Sequence, residues 1–431
     1  PAVSVGKENR RFDTTLLING LPISQIEEKR DTHDVNEALN QMHQYIDELQ
    51  YHDIFSTLQI LVALSPNNVK YMANTTSDQF NKDFAFHWQR KEDNGIVRDW
   101  REFADSMLSI PMAHQMATNF MILDGTPNKQ MLKVMRPYQV YATQAVLNKL
   151  KYTDFEIATN KIGYIWHTTG SGKTITSFKT AWLASRLPNV DKVVFLVDRI
   201  ALPKQTLDKY RAYDPDAGDD MLGGVKDTNN TNDLRRKLKA KDGGIIVTSV
   251  QKLDTLVKRK SFEAPAKNIV FVVDEAHRST GGDSFQTIQR KFPRSAWVGY
   301  TGTPMFDDTT NGLRTGDIFG PLLHAYTIRE AIADHNVLGF KVDFRTTIDE
   351  DKMKEEYLPQ FYRNRYASWS EEQVQAKIAN LDQRDMDDAI SPSFYDNNDE
   401  HVRLVVADVF ANWRNRSNEC KYNALFTTHV G

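Results

Sequence analysis

Asp13, Glu27 and Lys29 are the first residues in the chain that could do chemistry together. Two carboxylates can hold one or two magnesium ions, and a lysine beside them can orient or activate the water that attacks a phosphodiester. The run Thr14 to Ile18, the Asn19-Gly20 pair and the return run Ile23 to Lys29 predict a hairpin carrying all three. Side chains alternate along a strand, so Glu27 and Lys29 share a face. Asp13 reaches that face only if it lies opposite Glu27, which requires cross-strand numbers summing to 40. A strict two-residue turn at Asn19-Gly20 gives 39 and turns Asp13 away. Nuclease chemistry here therefore requires an odd loop or a β-bulge between Ile18 and Ile26. Gln41 and Tyr45 lie one helical turn apart on the segment that follows, with Tyr45 bordering its apolar stripe, so both can reach the hairpin edge. Taken separately, each of these residues is as readily an ordinary surface or core side chain.

A second set handles phosphate. His167-Thr-Thr-Gly-Ser-Gly-Lys-Thr174 follows the apolar run Gly163 to Trp166 and precedes a helical pattern through Ala181 and Leu183. In such a strand, loop and helix, Thr169, Gly170, Ser171 and Gly172 form the cradle, with backbone amides closing on phosphate oxygens. Lys173 neutralises the β/γ charge and the Thr174 hydroxyl ligates magnesium. The strict pattern has glycine where this chain has His167. Val272-Val-Asp-Glu-Ala-His277 closes a strand of five apolar residues, placing Asp274 where open α/β sheets bind ligands. Asp274 can hold magnesium through water and Glu275 can polarise the attacking water. The bland alternative is a helix-capping aspartate.

The elements that must position these groups are legible from periodicity. Val35, Leu39, Met42, Ile46 and Leu49 form one apolar stripe, and Asp34 with Glu37 predicts a capping box at its start. From Tyr138 to about Phe340 the runs Gly163 to Trp166, Val193 to Val197, Ile245 to Thr248, Ile269 to Val273 and Trp297 to Tyr300 alternate with helical patterns, which predicts a parallel sheet covered on both faces. Tyr51 to Leu132 is mixed and says little about function. Thr346 to Glu400 reads as an acidic connector with some helix, followed by a helix over Val402 to Trp413 and a strand over Ala424 to Thr427.

Composition sets outer limits. The 431 residues are 40% hydrophobic and 26% charged, which excludes collagen-like and broadly disordered classes and allows several cores. A net charge of −3 argues against a wholly basic nucleic-acid coat but leaves room for local basic clefts. The basic runs Arg235 to Lys241 and Lys258 to Lys260 read as solvated helix faces. No apolar run is long enough to span a bilayer, and Pro1 to Arg11 lacks a secretory core. The single cysteine, Cys420, forms no internal disulfide and leaves no cysteine-based zinc site, which fits a reducing cytosol. The chain does not open on Met and reads as a fragment.

Six segments in order resemble the first motor domain of superfamily 2 helicases and translocases. Besides the phosphate loop and Asp274-Glu275 they are Arg136-Pro-Tyr-Gln139, Phe195 to Arg199 with Gln205, Thr248-Ser-Val-Gln251 and Thr301-Gly-Thr-Pro304. The resemblance implies that Gln139 brackets adenine and that Thr301 and Thr303 link the nucleotide site to DNA. It also implies that Asp198 to Gln205 and Thr248 to Gln251 contact a phosphodiester backbone. Asp13, Glu27-Glu28-Lys29 and Gln41-Met-His-Gln-Tyr45 resemble the RecB-type PD-(D/E)xK nuclease with its Gln-x-x-x-Tyr helix. Such a nuclease directly before such a motor resembles the restriction (R) subunit of type I restriction-modification enzymes, and Leu21 to Lys29 resembles that family's nuclease strand. Type III restriction subunits carry the nuclease after the motor.

The implied fold class is α/β: a mixed-sheet nuclease over residues 1–130 with its connector, a RecA-like doubly wound motor domain over 131–345, and a connector with the start of a second RecA-like domain over 346–431. The implied cofactors are ATP and Mg2+. The implied partners are double-stranded DNA and the methylation and specificity subunits, in the cytoplasm of a bacterium or archaeon, with no membrane contact. The family's N-terminal segment with an extra acidic side chain is not seen before Pro1, and motifs V and VI are not seen after Val430. The chain is therefore expected to bind ATP without hydrolysing it processively, since an arginine finger from the second domain is worth roughly 10³ to 10⁵ in rate. Two rivals stand beside this reading: a stand-alone helicase-nuclease of DNA repair or phage defence, and a nucleotide-dependent switch or scaffold with a dead hairpin.

Overall fold

The computed structural model describes residues 2–5, 8–157, 159–197, 202–215, 224–274, 276, 283–306, 314–340, 351, 353–381 and 399–423. The chain divides into two compact units, 1–339 and 340–431.

The first unit opens with a two-stranded ribbon, β1 (Ala2–Val5) and β2 (Glu8–Arg11). A four-stranded mixed sheet follows in the order β3 (Thr14–Ile18), β4 (Leu21–Glu28), β5 (Ile60–Ser65), β6 (Asn68–Ala73). Its central pair β4/β5 is parallel and its outer pairs are antiparallel. Asn19 and Gly20 both take positive φ, 51° and 83°, the turn whose twist suits a two-residue hairpin. Next to that turn Ile18 pairs with Leu21 and Leu17 with Pro22; beyond Ile23 the partners become Leu16 with Ser24, Thr15 with Gln25 and Thr14 with Ile26. The paired numbers thus change from a sum of 39 to a sum of 40 across Ile23, the irregularity that nuclease chemistry requires. Pairing ends at Thr14 with Ile26; continued one step at the same sum it would set Asp13 opposite Glu27, and there Asp13 Oδ2 accepts from Glu28 N at 2.9 Å.

Helix α1 (Asn36–Asp47) covers one face of this sheet through Ala38, Leu39 and Met42, packed with Val35 against Leu61, Ala63 and Met72. The expected capping box does not form: Asp34 Oδ1 accepts from Asn36 N at 2.8 Å, while the Glu37 carboxylate is drawn to His33 at 2.9 Å. Leu49 also leaves the stripe, because the chain turns there with φ 55° and exposes 74% of it. The opposite face of the sheet, with Ile26, Val62 and Tyr71, is continuous with the core around Val193, Phe195 and Val298 of the larger parallel sheet. Tyr71 donates to Met135 O at 3.1 Å and Tyr141 to Gln89 O at 2.6 Å across that junction. Within the mixed stretch, β7 (Met121–Asp124) and β8 (Met131–Val134) form a small antiparallel pair.

Six parallel strands build the larger sheet: β9 (Asn160–His167), β10 (Lys192–Val197), β11 (Ile245–Ser249), β12 (Ile269–Val273), β13 (Ser295–Thr301) and β14 (Leu322–Tyr326). Their order is β11-β10-β12-β13-β9-β14. Alternate residues of a single strand enter different cores: Val193, Phe195 and Val197 join one, Val194 and Leu196 the other. That is the mark of a sheet buried on both faces. All five expected strands are present, four of them longer than their apolar runs. β14 is not foreseen by the alternation: its short run Leu322-Leu-His-Ala-Tyr326 is broken by His324 and lies half-exposed at the edge of the sheet.

In the second unit, Leu358, Tyr362, Val374 and Ile378 pack helices Leu358–Arg365 and Glu371–Ala379 together, within a stretch expected to be mainly irregular. Helix Asp399–Arg416 extends past the expected Val402 to Trp413 at both ends. The expected strand at Ala424 to Thr427 lies outside the described residues.

Candidate nuclease and nucleotide sites

Glu27 lies on the face of β4 that looks toward α1 and is fully buried. Burial first, and the Asp13 carboxylate beside it second, push its pKa up to about 8; the Gln25 N–H pulls the other way. One oxygen, Oε1, accepts from Gln25 Nε2 at 2.9 Å, while Oε2 is buried with no hydrogen bond. Asp13 caps the hairpin edge, its Oδ2 accepting from Glu28 N at 2.9 Å. Lys29 Nζ donates to Gln41 Oε1, and Gln41 Nε2 donates to Tyr45 OH. Tyr45 in turn donates to Arg11 O at 3.4 Å and packs on Phe12 at 5.1 Å. Hairpin and helix therefore bring Asp13, Glu27, Lys29, Gln41 and Tyr45 into one set. A cleft of about 410 Å³, lined by Arg10, Asn40, Gln41, Gln44 and Tyr45, opens beside it.

The donor set suits a hard divalent cation. An orphaned buried carboxylate oxygen beside a second carboxylate is costly without a cation and satisfied with one. Among the described residues no cluster of three or more His, Cys, Asp or Glu could hold a metal, so Asp13 and Glu27 stand as a pair. Sequence reasoning passed over Gln25 and Tyr51. Gln25 could have been found by period, two positions before Glu27 on the same strand face. Tyr51 lies beyond α1, where no periodicity points at the site. Its phenol is buried without a hydrogen bond and pushed well up by burial, then by Glu27.

At the nucleotide site β9 runs into the glycine loop, and helix α2 (Lys173–Ala184) starts at Lys173. Gly172 sits at φ 82°, and a Cβ there would come within 2.6 Å of Gln139 Nε2. Gln139 Nε2 donates to Ser171 O at 3.1 Å, and its Oε1 accepts from Arg136 N at 3.0 Å. In this conformation Gln139 is buried and holds the phosphate loop. Tyr138 OH also donates to Ser171 O, at 2.6 Å, with its ring stacked on Tyr326 at 3.6 Å. Thr169 and Gly170 are exposed at the loop tip, and Lys173 and Thr174 are half-buried behind it. A Cβ on Gly302 would lie 3.3 Å from Lys173 Nζ, so the Thr301 to Pro304 turn rests directly on Lys173.

His167, which replaces glycine, is buried and shares a hydrogen bond of 3.1 Å with His324 on β14. Burial, then His324, then Lys173 hold its pKa well below the usual histidine range, and burial holds His324 down to about 4, so both rings are neutral. Asp274 follows β12, with its N–H donating to Leu196 O at 2.9 Å. Glu275, and Asp198 to Arg199 with the side chain of Gln205, lie outside the described residues. Of the Thr248 to Gln251 segment, expected to contact a phosphodiester backbone, Thr248 and Ser249 are buried. Thr248 is bonded by Thr228 at 2.9 Å and Ser249 caps the helix Val250–Val257, while Gln251 is exposed. Thr301 is likewise buried, and Thr303 is exposed. The expected solvation of the basic runs matches Arg236, which is exposed and paired with Asp233.

Residues 138–375 match the SWI2/SNF2 ATPase family, and residues 2–80 match the N terminus of type I restriction enzyme R proteins. The endonuclease subunit of a type I restriction enzyme from Staphylococcus saprophyticus is 38% identical over 78% of this chain and 35% of its own length. The C-terminal part of a putative type I restriction enzyme endonuclease from Mycoplasma pneumoniae is 38% identical over 48% of this chain and 99% of its own length. Among solved structures, a type ISP restriction-modification enzyme bound to DNA aligns with 57% of this chain and 19% of its own at 16% identity, with a TM-score of 0.36. The chain spans about a third of the length of the full-length curated relatives it matches. With an R-protein N terminus joined to a SWI2/SNF2 ATPase domain, the chain belongs to the family of type I restriction enzyme endonuclease (R) subunits.

Proposed function

We propose that this chain is the nuclease-and-motor portion of a type I restriction complex. In this reading ATP hydrolysis drives movement along double-stranded DNA and the N-terminal hairpin cuts it, while the site is chosen by methylation and specificity subunits. The observation that supports the reading is the register shift at Ile23, which gives the sum of 40 that Asp13 needs to face Glu27, beside a lysine that donates to Gln41 of α1. Asp13 and Glu27 would hold Mg2+, which when bound supplies charge for the developing phosphorane and a water of lowered pKa. Lys29, kept in place by Gln41, directs its ammonium at the attacking water or the phosphate, and Tyr45 fixes Gln41. In the motor region Lys173 and the loop amides of Thr169 to Gly172 would bind the ATP phosphates, with Thr174 and Asp274 holding Mg2+ and Glu275 orienting water. Gln139, on the helix Pro137–Lys151 and bonded to the loop at Ser171 O, would bracket adenine. The proposed domains are 1–130, 131–345 and 346–431, and the proposed compartment is the cytoplasm.

The test uses the full-length protein with its methylation and specificity partners on plasmids with and without an unmethylated site. ATP-dependent cutting should need both partners and site, and Asp13→Ala should lower it 10²- to 10⁴-fold while ATPase persists. Cutting without partners would instead support a stand-alone helicase-nuclease.

A further inference from the structure

Gln25 is fully buried on β4, on the strand face it shares with Glu27. Its amide is bonded at both ends. Nε2 donates to Glu27 Oε1 at 2.9 Å, and Oε1 accepts from Thr15 Oγ1 at 2.8 Å. When Glu27 is ionised, as it is with a cation bound, its oxygens only accept, so the NH2 end of Gln25 then faces Glu27 and its carbonyl faces Thr15, whose hydroxyl donates. Reversing the amide would set two acceptors against each other. Thr15 and Gln25 are direct cross-strand partners only beyond the shift at Ile23, so the irregularity that opposes Asp13 to Glu27 also builds this relay. With Oε1 occupied, the buried and unbonded Oε2 is the oxygen left for a cation.

We propose that Gln25 is a positioning residue for the nuclease: oriented by Thr15, it ties down one oxygen of Glu27 so that the other is presented to a divalent cation together with Asp13. The inference rests on the nuclease reading of the hairpin. Groups that orient metal-ligating side chains typically contribute 10- to 100-fold to metal affinity.

Terbium luminescence, sensitised by the nearby Tyr45 and Tyr51 and competed with Mg2+, measures cation binding on the 431-residue chain. Gln25→Met should weaken binding roughly 10- to 100-fold. Thr15→Val should weaken it less, by several-fold, and Thr15→Ser, which keeps the hydroxyl, should bind as the parent does. A thermal melt without metal accompanies each variant. If Gln25→Met fails to fold, the Thr15→Val and Thr15→Ser pair decides, since Thr15 is only half-buried. Parent-like affinity in folded Gln25→Met, or in Thr15→Val where that pair decides, overturns the proposal, provided Asp13→Ala has lost binding. Binding that survives Asp13→Ala removes the nuclease reading itself, and the proposal falls with it.

Discussion

The candidate nuclease set, Asp13 to Tyr45, comes from one hairpin and the helix after it, whereas the candidate nucleotide set, Gln139 to Thr303, is gathered from the helix Pro137–Lys151 and from the ends of β9, β12 and β13. In the first case the distances along the chain are short and the outcome turns on a single paired register. In the second the chain travels far between contributions, and sheet topology delivers them to one edge whatever the lengths of the connections. A one-residue slip of β3 against β4 would turn Asp13 away from Glu27, which pairing with β5 holds on its face. A one-residue change in a loop between motor strands would move nothing at the phosphate loop. The hairpin is therefore the more fragile site, although it is built from fewer parts.

The largest effect that could break this contrast comes from two deletions of equal size. Removing Leu17, which is 54% exposed, costs little packing but shifts the partner of Asp13 from Glu27 to Ile26 while the irregularity at Ile23 persists. Removing Ile23, which is buried, takes out the residue without a partner in β3, together with the bond its carbonyl accepts from Gln59 N, and leaves a regular β3/β4 ladder whose continuation keeps Asp13 opposite Glu27. DNA cleavage by the reconstituted complex should fall at least ~10²-fold on deleting Leu17 and stay within about 10-fold on deleting Ile23. ATPase should be unchanged in both. Equal losses in the two would mean that register does not govern the hairpin.

A smaller effect is expected from Gly172→Ala at the other site. The new Cβ meets Gln139 Nε2 at 2.6 Å, and the backbone there sits at φ 82°. Left-handed backbone costs a non-glycine residue roughly 1–2 kcal/mol, and the clash pushes Gln139 off the Ser171 carbonyl. Nucleotide binding should weaken by about 10-fold or more, since 1.4 kcal/mol is a factor of ten. Fluorescent-nucleotide titration measures this, and cation binding at Asp13 and Glu27 should be unaffected. Coupled losses would join the two sites more tightly than their separate assembly implies.

Much of both sites was legible in the sequence, for different reasons. The parallel strands announced themselves because a sheet buried on both faces demands continuous apolar runs such as Ile269 to Val273. The need for a bulge followed from numbering alone, since side-chain period and turn length leave only one parity that unites Asp13 with Glu27. What stayed hidden are groups defined by partners distant in sequence. His167 looked like a defect in the phosphate loop until His324 of the unforeseen edge strand was found bonded to it. Thr248 and Thr301 carry the residue types of an exposed contact yet are buried, because strand ends carry small polar groups that satisfy the neighbouring backbone as readily as a ligand. Gln25 was overlooked because a glutamine within an apolar strand is conspicuous only once the acceptor beside it is known.

The smallest expected effect separates the sites by the sign of their pH dependence. Glu27 is raised from 4.5 to about 8 in the fold, so between those values the folded chain keeps a proton that the unfolded chain has released. Stability tied to Glu27 is full below about 4.5 and is lost as pH rises through 8. His324 is lowered from 6.5 to about 4, with His167 shifted the same way, so there the unfolded chain holds the extra proton. Stability tied to that pair is full above 6.5 and is lost as pH falls toward 4. Calorimetry without divalent ions should therefore find a maximum near the middle of this range, with a loss of at most about 2 kcal/mol between pH 6.5 and 8 from the nuclease site. Glu27→Gln should flatten the alkaline limb alone, and Mg2+ should do the same by taking the place of the proton. His324→Gln should alter the acid limb alone. An alkaline limb that survives Glu27→Gln would mean that the carboxylate is not held protonated by its burial beside Asp13, and the hairpin would lose its main electrostatic reason to bind a cation.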